Sequence, residues 1–98
     1  MTKEVYWSDE SKKDVNEIIE FIQYQWNQQI VSDFLDKIDH SIFQISKNPK
    51  TFPLINREFG IRKCVISKHN SIFYTEEDKK VYILRVFANR KDPEKLKF

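Results

Sequence analysis

The sequence predicts a small α+β domain in which a helical hairpin packs on one face of a mostly antiparallel sheet. A short β-prone segment opens the chain, two amphipathic helical patterns follow, and three β-prone runs come last. Helices and strands that occupy separate stretches of a chain are typical of the α+β class and not of a doubly wound sheet. The predicted order is therefore β-α-α-β-β-β, in one domain that covers residues 1–98.

The first strand is predicted at Glu4–Trp7, directly before Ser8 and Asp9, which are both good helix N-caps. A helix over residues 9–27 follows, because apolar residues recur there at spacings of three and four. Phe21 and Tyr24 lie beside this apolar face and are expected to widen it. The face itself consists of Val15, Ile18, Ile19, Ile22 and Trp26.

A second helix begins after the short connection at residues 27–29, so the two helices are predicted to form an antiparallel hairpin. Its apolar residues again recur at helical spacings. Lys47 near its end complements the helix dipole, and Pro49 stops the helix. The apolar residues are Val31, Phe34, Leu35, Ile38, Ile42 and Ile45.

The second half of the chain is predicted to form the rest of the sheet. Residues 48–60 contain two prolines and the only glycine, and we expect a structured loop there. Three β-prone runs follow at residues 61–67, 71–76 and 80–87. Their close spacing favours an antiparallel meander.

Composition excludes several classes of protein. Fourteen aromatic residues argue against intrinsic disorder, and the single cysteine, Cys64, excludes an internal disulfide framework or a cysteine-rich zinc site. The two histidines, His40 and His69, lie too far apart in the sequence to indicate a metal site. No apolar run approaches the roughly 18–20 residues of a membrane span, and the N-terminus lacks a secretory pattern. We expect a soluble cytoplasmic protein without metal, cofactor or membrane partner.

Charge is distributed unevenly along the chain. Residues 1–50 hold six Lys or Arg against nine Asp or Glu, a net charge of −3, and residues 51–98 hold eleven against six, a net charge of +5. A basic half of this kind attracts a polyanion or an acidic protein segment. It is also compatible with an ordinary solvated surface.

Several groups of residues, spread from near one end of the chain to the other, resemble the RelE/ParE superfamily of bacterial toxins from type II toxin–antitoxin pairs. They are Trp7-Ser8, Asp14, Ile18-Ile19, Lys47-Asn48-Pro49, Gly60-Ile61-Arg62-Lys63, Ile72-Phe73-Tyr74, Val81-Tyr82-Ile83-Leu84-Arg85-Val86-Phe87 and Asn89-Arg90-Lys91-Asp92-Pro93. The resemblance implies a cognate antitoxin that neutralises the toxin. It also allows a homodimer or a toxin–antitoxin hetero-oligomer.

The superfamily has two branches with different functions. ParE-like members poison DNA gyrase by binding and need no chemistry of their own, and some serve plasmid stabilisation. This branch is favoured, and the resemblance implies target binding by Arg62, Arg85, Arg90 and Lys91. We expect the antitoxin in an apolar groove between the helical hairpin and the sheet edge, where an added segment would satisfy free strand-edge groups.

RelE-like members are instead ribosome-dependent mRNA endoribonucleases. Cleavage at a 2′-hydroxyl needs a base, an acid and positive charge on the phosphorane, and a ribonuclease of this sequence would use Arg62, Arg90 and His69. Cys64 and Ser71 stand where the family pattern places basic residues, which counts against this alternative. Whether the chain is an enzyme therefore stays open, and a third alternative is an inert relic that only binds its antitoxin.

Structural roles compete with each of these functional assignments. Arg62 is equally suited to a salt bridge with Glu58 or with a helix carboxylate. Arg85 is at least as well suited to a cross-strand pair. His69 fits a turn, and Cys64 fits a small, partly buried apolar site because nothing near it indicates an activated thiolate.

Overall fold

A computed structural model describes residues 3–25 and 27–88 of the chain, and its elements follow the predicted order with two additions, a short 3₁₀ helix and a further strand. Helices α1 and α2 lie against one face of the sheet, which confirms the predicted α+β class. The elements are β1 (Glu4–Trp7), α1 (Asp9–Gln25), α2 (Gln28–Lys47), a short 3₁₀ helix (Pro49–Thr51), β2 (Leu54–Asn56), β3 (Ile61–Val65), β4 (Asn70–Glu77) and β5 (Lys80–Ala88).

The described part of the chain forms one five-stranded sheet in the order β1-β5-β4-β3-β2. The last three strands form the predicted antiparallel meander. The first strand runs parallel to the last, with Val5 opposite Val81 and Trp7 opposite Ile83. Strands β1 and β2 are therefore the two edges of the sheet.

The prediction of a loop over residues 48–60 is wrong in part, because the 3₁₀ helix and strand β2 lie within it. Leu54 pairs with Arg62 and Asn56 pairs with Ile61, with an irregularity between the two pairs. Three residues are too few to display strand alternation, and Pro53 directly before them argues against a strand. Gly60, at φ 66°, adopts the left-handed conformation that the return into β3 requires.

Both helices begin at side-chain caps. The Ser8 hydroxyl oxygen accepts a hydrogen bond from the backbone N–H of Ser11 at 3.0 Å, which confirms Ser8 as the cap of α1. The same hydroxyl donates to the carbonyl of Leu84 at 2.7 Å, so the cap also attaches α1 to β5. Asn27 caps α2 by accepting from the N–H of Ile30 at 3.2 Å.

The main core lies between the sheet and the helices. Strands β3, β4 and β5 contribute fully buried residues to it, and α2 contributes Ile45. A second cluster joins Ile22 of α1 to the first half of α2. The two clusters consist of Ile45, Cys64, Ile72, Tyr74, Val81, Ile83 and Val86, and of Ile22, Val31, Phe34 and Ile38.

The expectation that Phe21 and Tyr24 widen the buried face of the first helix is wrong. Phe21 is 51% exposed and Tyr24 is 87% exposed. Ile22 is the last buried residue of α1 and Val31 is the first of α2, so the end of the hairpin extends beyond the core. Trp26, predicted on the same face, lies outside the described residues.

Candidate functional site

The face of the sheet turned away from α1 and α2, here called the distal face, carries cations beside aromatic rings. Ile72 and Tyr74 belong to the helix-side core, and side chains alternate along a strand, so Phe73 lies on the distal face. The register places Lys63 and Arg85 on either side of Phe73. Phe73 and Phe87 meet edge to face, with ring centroids 5.7 Å apart.

Arg85 is held by a carboxylate of α1. Its Nε donates to Asp14 Oδ2 at 2.7 Å and its Nη2 donates to Asp14 Oδ1 at 2.9 Å. The guanidinium carbon lies 4.3 Å from the ring centroid of Phe87. The hydrogen bonds to Asp14 raise the pKa of Arg85 above its usual range, and the residue stays charged at any physiological pH. Arg85 therefore has the structural role of a paired arginine. Its ion-pair partner is a carboxylate of α1, whereas the sequence suggested a residue on a neighbouring strand.

Asp14 also occupies the edge of β5 beyond the end of β1. Its Oδ2 accepts from the backbone N–H of Val86 at 3.0 Å. The carboxylate is thus buried with three donors around it, which is the condition under which a buried charge is stable. No local pattern predicts this role, although the position of Asp14 four residues before Ile18 places it on the buried stripe of α1.

Arg62 lies on the helix side of the sheet and not on the distal face, because it pairs with buried Tyr74. Its Nη1 donates to the carbonyl of Phe52 at 2.7 Å and to that of Lys50 at 3.3 Å. The Tyr74 hydroxyl donates to the carbonyl of Pro49 at 2.5 Å. Arg62 and Tyr74 together fix the 3₁₀ helix and the segment leading into β2. The guanidinium contacts are to backbone carbonyls and not to the carboxylates that sequence analysis considered.

Lys63 is a distal-face cation that sequence analysis missed. Its Nζ lies 6.0 Å from the ring centroid of Phe73, within the range of a cation–π interaction. The signal was present in the sequence: a buried Cys64 places Arg62 on its own face and Lys63 on the opposite one. Strand alternation therefore predicts Lys63 as the β3 cation on the distal face, whereas the family pattern pointed to Arg62 as the functional cation of this strand.

The residues implied for a ribonuclease are not brought together by the described part of the fold. His69 is exposed in the turn between β3 and β4. The turn follows β3 at the end opposite Arg62, and the three residue steps from Arg62 to Val65 alone span about 10 Å at the usual rise of a strand. Arg90 and Lys91 lie outside the described residues.

The two positions at which the family pattern expects basic residues hold small buried side chains. Cys64 is 1% exposed and Ser71 is 1% exposed. Burial raises the pKa of the Cys64 thiol, so the thiol stays protonated at neutral pH and is not an activated nucleophile. Neither side chain can supply charge to a reacting phosphate.

Tyrosines occupy the distal face near β1. Tyr6 and Tyr82 stack with ring centroids 5.7 Å apart, and Lys80 Nζ lies 5.4 Å from the centroid of Tyr6. The Tyr6 hydroxyl donates a hydrogen bond to Glu4, and this bond raises the pKa of Tyr6. The hydroxyl is therefore neutral at physiological pH.

Within residues 3–25 and 27–88, no group of three or more His, Cys, Asp or Glu side chains is placed to hold a metal ion. In the same ranges, neither helix combines the length and apolar character needed to cross a membrane.

Comparisons with known proteins place this geometry in a family. The family model described as the ParE toxin of the type II toxin–antitoxin system parDE matches residues 5–93. No curated protein sequence matches the chain significantly.

Solved structures share the fold at low sequence identity. A chain of the chromosomal ParDE toxin–antitoxin system from P. aeruginosa is 12% identical with a TM-score of 0.75, and the match covers 89% of this chain and 96% of that one. The RelBE2 toxin–antitoxin complex from Mycobacterium tuberculosis gives 16% identity and a TM-score of 0.61, over 91% of this chain and 100% of that one. A chain of the E. coli DinJ–YafQ toxin–antitoxin complex is 16% identical with a TM-score of 0.61, and the match covers 90% of this chain and 93% of that one.

The family match spans most of the chain, and each structural match covers about nine-tenths of this chain and almost all of the matched chain. The resemblance noted in the sequence is thereby confirmed. This chain belongs to the ParE toxin family of type II toxin–antitoxin systems, within the RelE/ParE superfamily.

Proposed function

We propose that this toxin acts as a ParE-like poison: it inhibits growth by binding DNA gyrase and stabilising a cleaved DNA–gyrase state, and it performs no chemistry of its own. The family match over residues 5–93 supports the choice of branch. A cognate antitoxin neutralises it. Its action takes place in the cytoplasm, where its target is found.

The observation that carries the proposal is that both strand arginines are already engaged within the protein. The Arg62 guanidinium is bound to two backbone carbonyls on the helix side of the sheet. The Arg85 guanidinium is bound to the carboxylate of Asp14. A ribonuclease must direct cations at the phosphorane and place an acid and a base on either side of it. Arginines committed to internal acceptors suit a binding surface better than a catalytic one.

Target binding is assigned, as part of this proposal, to Arg62, Arg85, Arg90 and Lys91. The side chain of Arg85 is 27% exposed beside the ring of Phe87 and is fixed in place by Asp14. Fixed charges lose little conformational entropy when a partner binds. Arg90 and Lys91 follow β5 within three residues in the sequence and contribute two further positive charges to this half of the chain.

The antitoxin is proposed to carry acidic residues where it meets residues 51–98, whose net charge is +5. Opposite charges accelerate association and favour the correct partner. An apolar groove between the hairpin and the sheet edge is the proposed seat of an antitoxin segment, because an edge strand offers unpaired backbone groups.

The test is a gyrase reaction on a supercoiled plasmid with purified toxin, scored for double-strand breaks. We expect breaks that require both gyrase and toxin. Arg90→Ala and Lys91→Ala should reduce them, whereas Lys12→Ala, an exposed lysine of α1, should leave them unchanged. Absence of breaks at a large excess of folded toxin would contradict the proposal.

A further inference from the structure

The hairpin joining the two helices contains a stretch without any charged residue. Residues 21–32, from Phe21 to Ser32, hold no Lys, Arg, Asp or Glu, although these types make up 33% of the chain. The stretch contains five Gln or Asn residues, and its remaining members apart from Ser32 are aromatic or aliphatic. Interfaces between proteins differ from other surfaces by the depletion of charge at their centre and by enrichment in aromatic residues.

The structure exposes most of the described side chains of this stretch, at the end of the hairpin. We call eight of its exposed side chains the hairpin tip: Phe21, Gln23, Tyr24, Gln25, Asn27, Gln28, Gln29 and Ile30. Tyr24 is 87% exposed, Phe21 is 51% exposed and Ile30 is 40% exposed. Large apolar side chains left in water at one place, with amide groups around them, mark a surface that a partner covers.

The hairpin tip is held in one shape before any partner arrives. Ile22 anchors the end of α1 in the core, and Val31 anchors the start of α2. The Asn27 cap fixes the first turn of α2, and Gln29 Nε2 donates to Asp33 Oδ1 at 3.0 Å. A preorganised surface loses little entropy on binding.

We propose that the hairpin tip is the surface through which this toxin docks on the protein part of its target, DNA gyrase. The inference rests on the proposed function and adds a second contact to it. A nucleic acid is a poor occupant, because its binding depends on cations that neutralise phosphates and the hairpin tip has none. An acidic antitoxin is drawn to the basic strand half of the chain. The hairpin tip is complemented by an uncharged protein pocket that accepts an aromatic ring and forms hydrogen bonds with Gln and Asn side chains.

The experiment measures the affinity of the full-length toxin for purified gyrase and, separately, for its antitoxin. The test variants are Phe21→Ala and Tyr24→Ala. The matched control is Phe43→Ala, because Phe43 is also an exposed helix phenylalanine, at 55%, and lies outside the hairpin tip. We expect a loss of gyrase affinity of about tenfold or more for the tip variants, as for aromatic residues at the centre of an interface. The control should change it by less than about threefold, since peripheral contacts are nearly neutral.

Four outcomes would overturn the inference, and they are distinguishable. Gyrase affinity unchanged by both tip substitutions would overturn it and leave the proposed function intact. Antitoxin affinity reduced instead would assign the tip to the antitoxin, and a toxin dimer that dissociates in the variants would assign it to a second copy. If the unmodified toxin does not bind gyrase, the proposed function and the inference both fail. Thermal unfolding of each variant verifies that the fold is intact.

Discussion

Arg62 illustrates how a residue of the right type can serve the fold first. The family pattern selected it as a basic residue facing the target. Its position opposite Tyr74 turns it towards the helices instead, where it binds the carbonyls of Phe52 and Lys50. In the proposed function, Arg62 therefore supports target binding indirectly, by fixing the conformation of residues 50–52.

Arg62→Ala is predicted to lower the free energy of unfolding by about 1.5–3 kcal/mol, the usual contribution of hydrogen bonds that involve a charged group. Urea denaturation measures the change. Arg57→Ala is the control, because Arg57 is exposed in the turn between β2 and β3, and it should change stability by less than about 0.5 kcal/mol. If Arg62→Ala loses gyrase binding at unchanged stability, Arg62 is a direct contact residue.

Cys64 gives a prediction for alkaline pH. Burial raises the pKa of its thiol above the ordinary 9.0, so the folded state keeps the proton after the unfolded state has lost it. The stabilisation is complete below the ordinary value and is lost as the pH rises through the folded pKa. Burial raises the pKa of Tyr74 in the same direction from its ordinary 10.0.

The free energy of unfolding is therefore predicted to fall as the pH rises above about 9, by up to about 1.4 kcal/mol per pH unit for one proton. Cys64→Ala should be less stable at neutral pH and lose less stability between about pH 9 and 10. Denaturation midpoints at a series of pH values measure this. Equal slopes for both proteins would show that the thiol does not carry the effect.

At the scale of elements, the start of α1 is attached to the second half of β5. Ser8 bonds the carbonyl of Leu84, and Asp14 bonds Arg85 and the N–H of Val86. Leu84 lies at the irregularity of β5, where Phe73 pairs with Arg85 and Tyr74 pairs with Ile83. Irregularities of this kind bend a strand and redirect its side chains. The attachment therefore stabilises the course of β5 on both sides of its irregularity.

Asp14→Ala is predicted to destabilise the toxin by about 3 kcal/mol, because it leaves a partly buried arginine and a backbone N–H without this acceptor. Chemical denaturation measures the loss, with Glu17→Ala, an exposed residue of the same helix, as a control expected to be nearly neutral. Asp14→Asn should retain part of the stability through its remaining amide oxygen. An Asp14→Ala variant with unchanged free energy of unfolding would contradict the structural role of the pair of Asp14 and Arg85.

The elements predicted from the sequence are those with long patterns. Both helices carry many apolar residues at regular spacing, and the end of α2 at Lys47 is set by Pro49 two residues later. Strand β2 has three residues and owes its existence to pairing with β3, a tertiary effect that no local pattern records. The pair of Asp14 and Arg85 joins residues 71 positions apart, and only the folded chain brings them together. The exposure of Tyr24 is likewise a tertiary effect, because the first buried residue of α2 is Val31 and the end of the hairpin extends beyond the core.

At the scale of the whole molecule, the fold separates the two halves of the charge distribution. The first half, of net charge −3, supplies β1 and both helices, and the second half, of net charge +5, supplies the other strands. The helix layer is acidic, with a net charge of −4 over α1 and α2, whereas strands β2–β5 together carry a net charge of +2. An antitoxin with the proposed acidic residues would be steered to the basic strands by long-range electrostatics, whereas the hairpin tip contains no charged residue.

One paired measurement distinguishes a toxin that binds gyrase from a toxin that cuts RNA. The same folded preparation is added to gyrase with supercoiled plasmid and to ribosomes translating a defined mRNA. We predict double-strand breaks that depend on gyrase and toxin together, and mRNA that stays intact at the same toxin concentration. Cleaved mRNA with undamaged plasmid would show that the toxin is not a gyrase poison, and would identify an mRNA interferase that works without the expected charges at Cys64 and Ser71.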